Sequence, residues 1–199
     1  TGFGPVFIDH DSDGDLDLFF TAGEVRMGRT PAGASSSFQD RYAMADLLVE
    51  NREGRFVNIS AFAGDHFKTR RIHRSCSAGD YDSDGDLDLL VATMGGRPAL
   101  LRNDTRGGNW IGFRLEGKAP NRDAVGARVW LTAGGRTQLR EVTAGGSYLG
   151  QRDRRLLFGL GSASRVEKVR VRWSGGQEQT HGELEIRRYH SLRQAEPKT

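Results

Sequence analysis

Short apolar runs set between Gly- and Asp-rich clusters recur along the first half of the chain. Val6-Phe7-Ile8, Leu18-Phe19-Phe20, Leu47-Leu48-Val49, Leu89-Leu90-Val91-Ala92 and Leu100-Leu101 are each too short for a helix and each end in turn-forming residues. Such runs predict strands. From Asn109 onward apolar and polar positions alternate, which predicts strands over 110–116, 127–132, 137–143, 156–160, 166–173 and 183–188. The last sets Leu184 and Ile186 against Glu183, Glu185 and Arg187. Gly pairs at 134–135, 145–146 and 175–176 mark turns. Residues 30–37 have the composition of a flexible loop, and residues 38–48 read as one short helix. The stretch Asp104-Thr105-Arg106-Gly107-Gly108 has linker composition, so the pattern divides the chain into 1–106 and 109–199. The expected class is all-β.

Inside the first half, Asp9-His10-Asp11-Ser12-Asp13-Gly14-Asp15-Leu16-Asp17-Leu18 recurs as Asp80-Tyr81-Asp82-Ser83-Asp84-Gly85-Asp86-Leu87-Asp88-Leu89. A second echo pairs Leu47-Leu48-Val49-Glu50-Asn51 with Leu100-Leu101-Arg102-Asn103-Asp104. The unit is strand, acidic loop, strand, used twice. Calcium takes six to eight oxygen ligands, and a short loop supplies them from alternating positions. Alternation turns Asp9, Asp11 and Asp13 inward and leaves His10 and Ser12 facing out; Gly14 permits the sharp turn. The Asp15 carbonyl then faces the ion and Asp17 closes the shell. The second copy assigns Asp80, Asp82, Asp84, the carbonyl of Asp86, and Asp88 in the same way, giving two calcium ions. Without a cation so many carboxylates repel one another; the alternative is a merely solvated acidic turn. An EF-hand needs a bidentate Glu at position 12 and flanking helices, whereas Phe20 and Val91 stand there within apolar runs.

The paired loops with their apolar flanks resemble the FG-GAP or VCBS-type repeat of integrin-like β-propellers. Gly79-Asp80-Tyr81-Asp82 resembles that family's approach to the loop, and Asn51-Arg52-Glu53-Gly54-Arg55-Phe56 its N-x-G-x-F turn. The resemblance implies partial β-propeller-type repeats, about two blades, in residues 1–106. Residues 109–181 resemble the ASPIC/UnbV domain, which follows such repeats in bacterial proteins and in relatives of animal cartilage acidic protein. The resemblance is carried by Asn109-Trp110, Asn121-Arg122-Asp123-Ala124-Val125-Gly126-Ala127-Arg128-Val129, Arg140-Glu141-Val142, Gly146-Ser147-Tyr148-Leu149, Phe158-Gly159-Leu160-Gly161 and Val171-Arg172-Trp173. Ser174 and Gly150 depart from the family's usual Pro and Ser. A small antiparallel β-sandwich or barrel is expected for 109–199.

Charge is unevenly placed. Residues 1–108 hold 12 Lys and Arg against 17 Asp and Glu, while residues 109–199 hold 17 against 9. The basic side is mostly Arg, 25 against 4 Lys, which suits anion contacts or simply a solvated surface. Lone Cys76 makes no internal disulfide and reads as a buried apolar side chain. No apolar run is long enough to span a membrane. The opening Thr1-Gly2-Phe3-Gly4-Pro5 lacks an initiator Met and leads at once into a strand, as in a processed product or fragment.

Other candidates have competing structural readings. Asn121-Arg122-Asp123 with Arg140-Glu141 lines a ligand pocket, or forms a turn and a cross-strand pair. Trp110, Trp130 and Trp173 stack on sugars or pack in a core. Arg70-Arg71-Ile72-His73-Arg74 docks an anion or faces water. Phe158-Gly159-Leu160-Gly161 is no phosphate loop, and His10, His66, His73, His181 and His190 lack metal-ligand spacing. With no nucleophile elbow or acid–base set in view, the expectation is a non-catalytic, calcium-binding interaction or adhesion module, secreted, extracellular, periplasmic or at the cell surface. Its expected partner is a protein or subunit covering exposed sheet edges, with glycan as a further possibility and no nucleic acid. A calcium-dependent lectin for glycans or acidic polymers is the alternative, and a polysaccharide-active enzyme on a propeller scaffold the third.

Overall fold

The structure, a computed structural model, describes residues 1–25, 37 and 41–196. Strands form where the short apolar runs predict them. β1 (Gly2–Ile8) and β2 (Asp17–Ala22) pair antiparallel across the first acidic segment, and β3 (Leu47–Arg52) and β4 (Arg55–Asn58) extend them into a sheet ordered β1-β2-β3-β4. β5 (His73–Gly79) and β6 (Asp88–Thr93) repeat the hairpin around the second segment, and β7 (Ala99–Leu101) makes that sheet three-stranded. The register repeats too: Ile8 stands opposite Asp17, and Gly79 opposite Asp88. Inward-facing Val6, Ile8, Phe19 and Leu48 of the first sheet share one core with Cys76, Ala78, Leu89 and Val91 of the second.

The second half folds around a separate core. β8 (Asn109–Glu116), β9 (Arg128–Ala133), β10 (Arg136–Glu141), β11 (Leu156–Gly161), β12 (Lys168–Arg172), β13 (Glu178–His181) and β14 (Tyr189–Arg193) form two open sheets, ordered β10-β9-β12-β13 and β11-β8-β14. Ile111, Phe113, Phe158 and Leu160 from one sheet meet Val129, Leu131, Val169 and Val171 from the other, with Trp173 beside them. The protein is all-β, and this half is a sandwich without a closed barrel. β14 runs parallel to β8, so it is not purely antiparallel.

Two expected elements differ. Residues 183–188 form no strand: Arg187 has a φ of 58°, outside the extended range. Leu184 and Ile186 pack on the core from an irregular segment, which satisfies the same alternation, and strands β13 and β14 lie on either side. Within 38–48, Arg41 and Tyr42 are helical, but Ala43 and Met44 bridge to Gly23 and Arg71, and β3 starts at Leu47. Backbone pairing with neighbouring segments overrides local helix preference there. Residues 38–40 lie outside the described residues, as does the expected loop at 30–37 apart from Ser37. Among the described residues no helix is long and apolar enough to cross a membrane.

Candidate metal centres

Each acidic loop connects the two strands of a hairpin, so its ends are fixed: Asp9, Asp17, Asp80 and Asp88 are buried, whereas Asp13, Asp82 and Asp84 are exposed. Ser12 and Ser83 take φ values of 58° and 63°, and Gly14 and Gly85 of 94° and 100°, so the two loops share one backbone path. In the first loop, carboxylate oxygens of Asp9, Asp11 and Asp13 lie within 4.8 Å of one another; in the second, those of Asp80, Asp82 and Asp88 do. The first carboxylate of each loop accepts a hydrogen bond from the backbone of its glycine: Gly14 N to Asp9 Oδ2 and Gly85 N to Asp80 Oδ2, both 3.1 Å. The last is anchored by the echo motif. Asn51 N donates to Asp17 Oδ1 and Asn103 N to Asp88 Oδ1, both at 2.8 Å. The second sequence echo is therefore a brace for the first, but in a register one residue from the pairing of Leu47 with Leu100: Leu48 answers to Leu100 and Asn51 to Asn103.

The copies differ in their details: Ser12 is buried and Ser83 exposed, and the third converging carboxylate is Asp13 in the first loop but Asp88 in the second. Neither His10 nor Ser12 faces outward as expected, and Asp13 is exposed rather than inward: Ser12 is buried under the neighbouring sandwich, and His10 Nδ1 lies 2.7 Å from Asp17 Oδ2, the oxygen that also accepts from His10 N. Burial works against ionisation of Asp17, yet the hydrogen bonds of His10 and Asn51 outweigh it and hold its carboxyl below the usual range. Tyr81, the counterpart of His10, is exposed. Asp15 turns its carboxylate out of the loop to pair with Arg136 at 2.5 Å. Asp86 instead buries Oδ1 without a partner, and Asp84 is exposed.

The second half of the chain covers both loops. Gly159 N donates to Asp9 Oδ2 at 3.2 Å and Gly161 N to Ser12 O at 2.8 Å. A side chain at 159 would collide with Asp9 and Ser12, which explains the glycine in a segment whose sequence suggests no function. Tyr189 donates its hydroxyl to Asp80 Oδ2 at 2.7 Å, while Arg155 lies over the Tyr189 ring and reaches Asp80 O. Trp110 packs directly on Gly85. None of these groups is near the loops in sequence, and only the unexplained glycines offered a signal.

The electrostatics show how poorly the loops tolerate their own charge. Burial first, then Asp13, Asp11 and Asp17, push Asp9 up to about 7 although Arg140 pulls it down. Burial, then Asp84 and Asp88, push Asp86 up to about 7. Asp9 Oδ1 is buried and has no partner. An orphaned carboxylate oxygen facing further carboxylates fits a cation site with oxygen ligands.

The remaining candidates resolve structurally. Asn121 holds its own turn through Val125, and Glu141 pairs with Arg128 across strands at 2.6 Å; Arg140 and Glu141 line one cavity and Asp123 another, so the two groups do not share one pocket. Arg70 and Arg74 donate to backbone carbonyls of Ala43 and Glu24, which ties the basic cluster into the fold. Trp173 is core, whereas Trp130 lies under Arg170 at 4.1 Å. His66 and His73, seven positions apart without ligand spacing, nonetheless converge on Asp46.

No curated protein matches the chain. Residues 117–199, the greater part of the sandwich that seals both loops, match the family model described as ASPIC and UnbV.

Proposed function

We propose that this protein is a non-catalytic, calcium-binding interaction module, with residues 1–106 forming FG-GAP/VCBS-like repeats that calcium orders and the ASPIC/UnbV-like half clamps. The observation that carries this reading is the convergence of three carboxylates in each loop, Asp9, Asp11 and Asp13 in the first and Asp80, Asp82 and Asp88 in the second, with a buried, unpartnered Asp9 oxygen in the first. Asp9, Asp11, Asp13 and Asp17 would hold one ion with the Asp15 carbonyl; Asp80, Asp82, Asp84 and Asp88 would hold the other with the Asp86 carbonyl. The ion neutralises charge that otherwise opposes closing the loop. Millimolar extracellular calcium suits loops of this kind, which supports a secreted, periplasmic or cell-surface setting.

The interaction reading draws on the sheet edges. β4 and β7 lie at the ends of their sheets and expose Phe56 and Leu100, and such edges pair with other strands unless covered. The sandwich half meets the opposite side, where Asp153 N donates to Ala78 O and Arg152 to Phe7 O. A protein partner or subunit at the β4 and β7 edges therefore fits better than a substrate. The test is a thermal melt of calcium-stripped protein with and without calcium added back. An ion bound only by the folded state at a hundred times Kd adds about 3 kcal/mol, so calcium should raise the melting temperature. Unchanged melting, with the stripped state verified by elemental analysis, rejects the reading.

A further inference from the structure

Away from the acidic loops, three separate segments bring together a carboxylate and two imidazoles. Asp46 lies just before β3, His66 sits in the 3-10 turn Asp65–Lys68, and His73 opens β5. His66 Nε2 is 2.8 Å and His73 Nδ1 2.7 Å from the same oxygen, Asp46 Oδ2. The two rings stack with centroids 5.3 Å apart and planes 12° from parallel. The other oxygen, Oδ1, is fixed by the backbone N–H of Ala22 at 2.7 Å. The Asp46 and His73 side chains are 0% and 1% exposed, and His66, at 16%, is the member that reaches water.

His73 is the informative residue. Its Nδ1 is close to Asp46 but off the line a ring N–H hydrogen bond requires, and its Nε2 has no partner. A fully buried imidazole with neither nitrogen in a directed hydrogen bond is costly. A metal on Nδ1 would take that nitrogen's lone pair and so leave one ring nitrogen, rather than two, without a partner.

We propose that Asp46, His66 and His73 bind one zinc-class divalent ion, at a site separate from the two aspartate loops. Two imidazoles and one carboxylate match the nitrogen and oxygen ligands of zinc, whereas calcium takes oxygen alone. The Ala22 N–H orients the carboxylate as an outer-shell group does. Ligand atoms on a tetrahedral zinc ion lie about 3.3 Å apart, so the cluster opens by roughly half an ångström to admit one. Three protein ligands leave a fourth position for water, on the side where His66 meets solvent. Such an ion pins the 3-10 turn to two neighbouring sheets, in a region where the described residues have no disulfide.

The test is a zinc titration of the whole chain against a chromogenic zinc indicator, with calcium held at millimolar concentration throughout. Wild type should take up one zinc ion tightly, and cobalt in its place should give the visible absorption of a four-coordinate site. His66→Ala and Asp46→Asn should weaken binding about tenfold or more and abolish the cobalt bands; His181→Ala and His190→Ala should change neither. If His66→Ala does not fold, His66→Gln keeps a donor toward Asp46 without the imidazole and should show the same loss. Absence of zinc uptake by wild type, unchanged affinity in the folded His66 variant, or loss of uptake in His181→Ala or His190→Ala would overturn the proposal and leave a plain His–Asp–His contact. The calcium proposal does not depend on any of these results.

Discussion

Tyr189 and Asp80, 109 positions apart, meet in a hydrogen bond of 2.7 Å that joins the last strand of the sandwich to the first carboxylate of the second acidic loop. Tyr189 donates and Asp80 Oδ2 accepts, while Gly85 N occupies the same oxygen. The carboxylate is thereby aimed by a residue outside its own repeat. Tyr189→Phe removes the donor but keeps the ring between Trp110 and Arg155. Loss of an outer-shell partner of this kind lowers metal affinity about tenfold or more. Calcium binding at the second loop should weaken by that factor, with the first loop unaffected, as calorimetry of the variant would show.

The first loop predicts an opposite effect. His10 engages the Asp17 oxygen that an ion would compete for, and the second loop has exposed Tyr81 in that place. His10→Tyr removes a partner worth about 1 kcal/mol, so calcium affinity at the first loop should rise about fivefold. A fall in affinity would mean that His10 positions Asp17 for the ion instead.

Gly159 tests the contact between the halves. Its N–H bonds Asp9, and a Cβ there would strike Asp9 and Ser12. Overpacking of this kind costs about 1–3 kcal/mol. Gly159→Ala should lower the melting temperature and weaken the first site, while the β8–β14 sandwich keeps its circular dichroism.

Cys76 should serve as a reporter of opening. It is fully buried between the two hairpins, and burial, assisted by Asp46, pushes its thiol up to about 12. The thiolate is the reactive form, so a disulfide reagent near neutral pH should modify the native protein only as fast as it opens. Calcium should slow the reaction further. Rapid stoichiometric labelling of calcium-loaded protein would contradict the packing.

The acidic loops were legible because all their acidic residues fall within two nine-residue stretches and every turn residue is local. The repeat also gave the hairpins and, through Asn51 and Asn103, the braces behind Asp17 and Asp88, although only the structure shows what those asparagines do. What sequence did not reveal is long-range. Gly159 and Asp9 lie 150 positions apart, and no periodicity connects them. His66 and His73 show no ligand spacing because a 3-10 turn and a strand, not one helix, bring them together. Residues 183–188 misled because alternation records burial, and an irregular segment can bury alternate side chains as a strand does.

The central claim, two calcium ions held by two equivalent loops, is tested most directly by counting bound calcium in wild type and in one variant per loop. Calorimetric titration of calcium-free protein should give two ions for wild type, and one each for Asp11→Ala and Asp82→Ala, with both variants remaining folded. Fewer than two ions in wild type, or two retained after either substitution, would contradict it.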